Sequence, residues 1–264
     1  MKVVRNATDF PLRKTYDYVV VGGGTAACPL AATLSEAYSV LILERGDAPE
    51  AHPNVLNLAG FAANLMEKDD GISTPAQRFT SEDGVPNVRA RVLGGGSMIN
   101  AAFYSRANRD FFPKSGVDWD MVLVEEAYRW VEETVVSRPR IAVWQKAVKH
   151  ALLGTGIVPD NGYELKHELG TKVSGSTFDE SGKRHGSVEH LNRGNFTNLQ
   201  IAVRATVERV IFSTKGSSKY DYIGINGLCF VRHGHIFSPI YKFMRQLISG
   251  LHKNKHCYTK LTQW

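Results

Sequence analysis

"YDYVVVGGGTAACPLAATL", residues Tyr16 to Leu34, is the stretch on which the reading of this chain turns. Residues 16–21 are largely β-branched and end at a glycine, which predicts a short buried strand. Residues 25–37 are rich in alanine and leucine with no internal glycine, and predict a helix. "SVLILE", Ser39 to Glu44, predicts a second apolar strand. Strand, glycine turn, helix and strand in that order form a βαβ unit, with parallel strands and a right-handed crossover. The predicted fold class is therefore α/β.

The turn carries the spacing Gly22-x-Gly24-x-x-Ala27. Gly22 permits a tight exit from the strand. Gly24, lacking a side chain, lets a pyrophosphate approach the backbone where the helix begins and free N–H groups favour an anion. Ala27 is small enough for the close helix–strand packing expected at the third position. Such a spacing also occurs in ordinary glycine turns. Here it follows a strand, opens a helix, and is joined by Glu44 at the end of the next strand, 22 residues after Gly22, where a carboxylate can accept hydrogen bonds from a ribose. These features together point to a dinucleotide. Glu44 does not separate NAD from FAD, but it disfavours a 2′-phosphate. Cys28 reads as a packed thiol, because it has no CxxC partner.

Beyond this unit, residues 46–90 are loop-rich, with Pro49, Pro53, Pro75 and Pro86, yet so long a stretch must contain further structure. A second glycine cluster follows, Arg91 to Asn100, "RVLGGGSMIN". On composition alone it is equally an anion-binding nest of successive N–H groups or a flexible loop. Residues 118–135 predict an amphipathic helix capped by Asp118 or Asp120, and residues 140–154 another ending near Gly154. Residues 186–212 are strand-like, with alternation through "NLQIAVRATVERVIF".

The chain has 264 residues, 43% of them hydrophobic and 22% charged, the balance of a globular protein. Its net charge of +6 lies wholly in the last 46 residues, which hold seven Lys/Arg and one acid. Residues 1–218 balance 25 bases against 25 acids, which argues against a nucleic-acid surface there. No apolar run reaches the ~18 residues of a membrane span. "MKVVRNATDF" lacks the apolar centre of a secretory signal, so the chain as written is expected in the cytosol. Three widely spaced cysteines make no disulfide framework. Asn6-Ala7-Thr8 and Asn195-Phe196-Thr197 have the form of glycan acceptors, a form that arises often by chance and matters only on the secretory route.

Strand-"GGGTAACPLAATLS", then "LILERG", then "RVLGGGSMINAAFYSRA" closely resemble the glucose–methanol–choline (GMC) oxidoreductases, most of all the plant branch of HOTHEAD-like proteins and mandelonitrile lyases. "GVDWDMVLVEEAYRWVE", "GTKVSGSTFDESGKRHGSVEHLN" and "VRATVERVIFS" extend the resemblance over about residues 16–213. It implies FAD in a Rossmann-type fold. Gly22, Gly24, Thr25 and Ala26 would lie against the pyrophosphate, and Glu44 and Arg45 at the adenosine. Val92, Gly96, Asn100, Ala101, Ala102 and Phe103 would run along the flavin and its ribityl chain, and the backbone of Val207 would contact adenine. Two departures are Ala102, where relatives commonly carry glycine, and Pro113.

Family members run to about twice this length, and their second half supplies most of the substrate-binding sheet and a catalytic histidine. "STKGSSKYDYIGINGLCFVRHGH" resembles none of it. The expected organisation is an N-terminal extension over 1–15, an incomplete FAD-binding domain over 16–218, and an unrelated basic tail over 219–264. His150, His167, His185 and His190 read as structural or exposed, so no catalytic residue and no metal site are assigned. The resemblance implies an alcohol or cyanohydrin substrate for the family, and members of this branch are often secreted. In the tail, Ile240, Phe243, Met244, Leu247, Ile248 and Leu251 mark a helical apolar stripe beside Lys242, Arg245 and Lys253. It could dock on a membrane or a partner, although an ordinary unrelated C-terminus is the favoured reading. Two functions are therefore expected: a GMC-type flavoenzyme by descent, or a fragment that binds flavin without turnover. Apolar surface should be left exposed in either case.

Overall fold

The computed structural model describes residues 3–7, 9, 16–212, 225–232 and 235–237. In chain order the strands and helices are β1 (Val4–Asn6), β2 (Tyr18–Val21), α1 (Ala27–Leu34), β3 (Val40–Leu43), α2 (Phe61–Met66), β4 (Ala76–Thr80) and β5 (Pro86–Ala90). There follow β6 (Phe103–Tyr104), α3 (Phe111–Lys114), α4 (Met121–Val135), α5 (Val143–Gly154), β7 (Asp160–Tyr163), β8 (Thr171–Val173) and β9 (Gly175–Ser176). The last are β10 (Leu199–Val203), β11 (Thr206–Phe212), β12 (Ile225–Arg232) and β13 (His235–Phe237).

The expected βαβ unit is present: β2 and β3 pair in parallel, with Tyr18 opposite Val40 and Val21 opposite Leu43. β10 adds to the other side of β3, and β1 to β10, giving a parallel sheet in the order β1-β10-β3-β2. All four residues of β3 are buried. This is why it reads as an unbroken apolar run, since a strand covered on both faces needs no polar side. Val40 and Ile42 face Cys28, Ala31, Leu93, Met98, Leu199 and Ile201, while Leu41 and Leu43 face Tyr16, Ala202 and Ala205. Each such side chain is worth about 1.5–3 kcal/mol of burial. α1 lies on the first face through Cys28, Ala31 and Ala32; Ala27 is only half-buried, so close packing falls to the residues just after it.

The expected strand region 186–212 divides into three. Ser187–Arg193 is a 3-10 helix, β10 is a sheet strand, and β11 pairs antiparallel with β12. The break after β10 falls at Arg204, whose φ is +57°, a conformation that no strand continues through. β12 and β13 lie beyond residue 218 and form one three-stranded antiparallel sheet with β11. The proline-rich stretch 46–90 holds two 3-10 turns, each beginning at a proline, then α2 and the β4–β5 hairpin. Buried Arg91 ties this segment down through Asp69 at 2.9 Å. α4 starts where Asp120 accepts the N–H groups of Val122 and Leu123, and α5 ends at Gly154, as predicted. The apolar stripe of residues 240–251 lies outside the described residues.

Candidate functional site: the paired glycine turns

The N-terminus of α1 is the natural starting point. Among the described residues, no side chain caps it at Ala26 and no acid stands in its first turn, so its first N–H groups point outward with the positive end of the helix dipole. Gly22 has φ +86°, which allows the chain to leave β2 abruptly, and its N–H donates to Leu43 O at 2.8 Å. A Cβ placed on Gly24 would meet no described heavy atom within 4 Å. The turn is therefore open on the side a ligand would take.

Gly23, the unspecified residue of the spacing, is the most confined of the three. A Cβ there would lie 2.4 Å from Leu93 Cδ1. Its N–H donates to Glu44 Oε2 at 2.7 Å, and its carbonyl accepts the N–H of Gly94 at 2.7 Å. Glu44 is 6% exposed, and its other oxygen accepts the N–H of Gly46, also at 2.7 Å. The carboxylate thus clamps the ends of β2 and β3 together, and retains lone pairs for a further donor such as a ribose hydroxyl. Burial pushes its pKa up, opposed by the two backbone N–H groups and Arg45.

The second glycine cluster is folded against the first. Gly94 and Gly95 have φ +97° and +61°, and a Cβ on Gly95 would fall 2.7 Å from Gly24 Cα. Ser97 N–H donates to Thr25 Oγ1 at 3.2 Å. The cluster is therefore an ordered turn rather than a loose loop, with the N–H groups of Gly94, Gly95 and Ser97 already taken by Gly23 O, Val92 O and Thr25 Oγ1. Ser97 and Ser187 hydroxyls both donate to Gly94 O, at 2.8 and 2.9 Å. Arg184, which no local spacing in the sequence marks, is buried and fixes the far side of the turn. Its guanidinium donates to Val55 O, Ser97 O, Asn100 O and Asn100 Oδ1, and lies 4.2 Å from the Phe178 ring centre. No carboxylate is among these partners, and burial lowers its pKa to about 10.

Gly22, Gly24, Thr25, Ala26, Glu44, Gly96 and Asn100 are gathered around these two turns. Val92 is buried beneath them and forms a bridge with Asp47. Beyond Asn100, Ala101 is exposed, Ala102 is buried with φ +64°, and Phe103 is 88% exposed. That φ is one glycine adopts freely, so the alanine at position 102 is strained. Two expected residues stand apart. Arg45 points to the hairpin, donating to Gln77 Oε1 and Ala90 O, and Val207 packs against the cluster of Tyr16, Leu41 and Leu43.

Cys28 is fully buried with its thiol on Gly23 O at 3.4 Å, and burial drives its pKa to about 12. His190 is buried beside the Trp130 ring at 4.6 Å, His185 lies between Asp179 and Glu189, and His150 and His167 are exposed. Among the described residues no cluster of potential ligands could hold a metal, and no helix is long and apolar enough to cross a membrane.

A parallel sheet with two interlocked glycine turns at one strand end defines a Rossmann-type nucleotide-binding protein. The sequence profile of the GMC oxidoreductases matches residues 16–226, and the chain belongs to that family. It is 55% identical over 213 residues to (R)-mandelonitrile lyase 1 of Prunus serotina, covering 81% of this chain and 38% of that one. It is 55% identical over 220 residues to sinalpyl alcohol oxidase Nec3 of Nesocodon mauritianus, covering 83% and 39%, and 49% identical over 203 residues to the protein HOTHEAD of Arabidopsis thaliana, covering 77% and 34%. The chain therefore spans well under half the length of these curated relatives and corresponds to their N-terminal part. Pyridoxine 4-oxidase from Mesorbium loti shares the fold, with a TM-score of 0.66 at 21% identity, over 86% of this chain and 48% of its own. The family and its structural neighbours are FAD-binding flavoproteins.

Proposed function

We propose that residues 16–212 form the FAD-holding part of a GMC-type protein, and that a polypeptide of these 264 residues binds FAD without turning over an alcohol or a cyanohydrin. The observation that carries this reading is the contrast between Gly24, open on its outer side, and Gly95, packed on its inner side. That arrangement keeps a bare backbone surface in front of an uncapped helix, the chemistry a pyrophosphate requires. The N–H groups around Gly24, Thr25 and Ala26 would hold the diphosphate, Glu44 the adenosine ribose, and the segment from Gly96 to Phe103 the flavin side.

When bound, FAD supplies a hydride acceptor in the oxidase members of such a family. The residues of this chain contribute orientation and charge rather than proton transfer. Arg184 and the Ser97–Ser187 pair hold the second turn in shape, and Glu44 secures the first. His185 is engaged by two carboxylates, and His190 is buried with its Nδ1 at Ser187 O, so neither stands free to take a substrate proton. Purified chain should show flavin absorbance in the visible after incubation with FAD, with neither alcohol oxidation nor mandelonitrile cleavage. Failure to retain FAD would overturn the binding reading, and measurable turnover the non-catalytic one.

A further inference from the structure

Asn195-Phe196-Thr197 occupies the turn between the 3-10 helix at Ser187–Arg193 and β10, and all three residues are exposed. The turn is held rigidly. Asn195 N–H donates to Ser35 Oγ, and Asn198 Nδ2 donates to Ser35 O, both at 2.9 Å. Asn195 O accepts from the N–H groups of Asn198 and Leu199, each at 2.9 Å. Asn195 Oδ1 accepts the N–H of Thr197 at 3.0 Å, an Asx turn that engages the carbonyl end of the amide. No described residue hydrogen-bonds Asn195 Nδ2. The hydrophobic middle residue, Phe196, is itself 46% exposed and uncovered.

We propose that Asn195 is an acceptor for an N-linked glycan when this chain passes through a secretory pathway. Asn195 Nδ2 would displace the diphosphate from C1 of a lipid-diphosphate-linked oligosaccharide, supplied with its transferase by that compartment. The Nδ2–C1 bond forms, the C1–O bond breaks, the lipid diphosphate leaves, and one amide proton passes to the transferase's base. Asn6 offers no comparable site, since it is half-buried in strand β1, paired in register with Val203 of β10 rather than set in a turn. Asn195 is anchored to Ser35 at the C-terminal end of α1, while the glycine turns lie at its N-terminal end. Eight residues of helix separate the two ends by about 12 Å, so the attachment point lies at the opposite end of α1 from the turns. The proposal is independent of FAD binding.

The test directs the full chain into the secretory pathway of insect cells with a cleavable leader. Both membrane-associated and secreted chain are treated with peptide N-glycosidase F, so a chain retained in the cell still gives an answer. A mobility shift and conversion of residue 195 to aspartate in the peptide map are expected. Thr197→Ala, which leaves the backbone N–H of the Asx turn in place, should abolish both, as should Asn195→Gln, whereas Thr197→Ser should keep the modification. An unmodified Asn195 peptide in the wild-type chain, a glycan on Asn6 alone, or a modification that survives Thr197→Ala would overturn the proposal.

Discussion

The parallel sheet with its glycine turns and the helical half built on α4 and α5 differ in how far they satisfy themselves. Around β3 and β10 the apolar side chains are covered on both faces, and the glycine turns are joined by backbone hydrogen bonds and buried side chains. In the helical half, Val122, Leu123, Val143 (85% exposed) and Trp144 stand in solvent, and Val135 is the buried residue of α4. No residue of α5 is buried. An amphipathic helix needs a partner for its apolar face, and the described residues bring only part of one. The sheet half carries its own folding energy, whereas the helical half presents a surface.

The largest break in this contrast should come from Gly95→Ala. Its new Cβ would meet the backbone of Gly24 at a φ that L-residues avoid, and neither can yield. We expect a loss of about 3 kcal/mol or more by denaturant titration, together with loss of retained flavin. Arg184→Met should follow, at about 2–4 kcal/mol. It strands the carbonyls of Val55, Ser97 and Asn100 while relieving an unpaired buried cation.

Gly24→Ala separates binding from folding. The methyl enters open space, so the denaturation midpoint should stay within about 0.5 kcal/mol of wild type. FAD affinity should nevertheless fall at least about tenfold in a fluorescence titration, equivalent to about 1.4 kcal/mol. Equal affinity would show that the pyrophosphate does not approach this backbone.

A smaller effect concerns His185. Burial lowers its pKa, but the hydrogen bonds that the ring donates to Glu189 and Asp179 outweigh burial and leave it raised. A pKa raised in the folded state contributes stability that is fully present below the unfolded value of about 6.5, and is lost as pH rises through the folded one. The difference in Tm between wild type and His185→Gln should therefore shrink as pH is raised from about 6 to about 8.5. A difference that is constant across this range would remove the charged imidazole from the account. Smallest of all, Val143→Lys should change stability by no more than about 0.5 kcal/mol and leave flavin retention intact. A larger loss would mean that the helical surface is covered in solution.

Much of the sheet half was legible in the sequence because its signals are local. A β-branched run ending at glycine, an alanine-rich helix and a second apolar strand each declare themselves within a few residues, and Asp120 and Gly154 mark their helix ends in the same way. The site was legible only in part. Gly22, Gly24 and Glu44 stand at a known spacing, but the confinement of Gly23 arises from Leu93, and that of Gly46 from the backbone of Arg91 and Val92. Arg184 bonds to residues 84 and 129 positions away, which no local pattern announces.

The sequence by itself determined that a βαβ unit opens on a glycine turn with a carboxylate across from it, since strand, helix and turn preferences act over neighbouring residues. It also carried the resemblance to a flavoprotein family. Only the tertiary structure decided that the second glycine cluster is ordered rather than a loose loop, because its order comes from Gly23, Thr25, Ser187 and Arg184 reaching it across the fold. The same holds for the two halves: amphipathicity marks which face of a helix is apolar, while what covers that face depends on atoms far away in the chain or outside it.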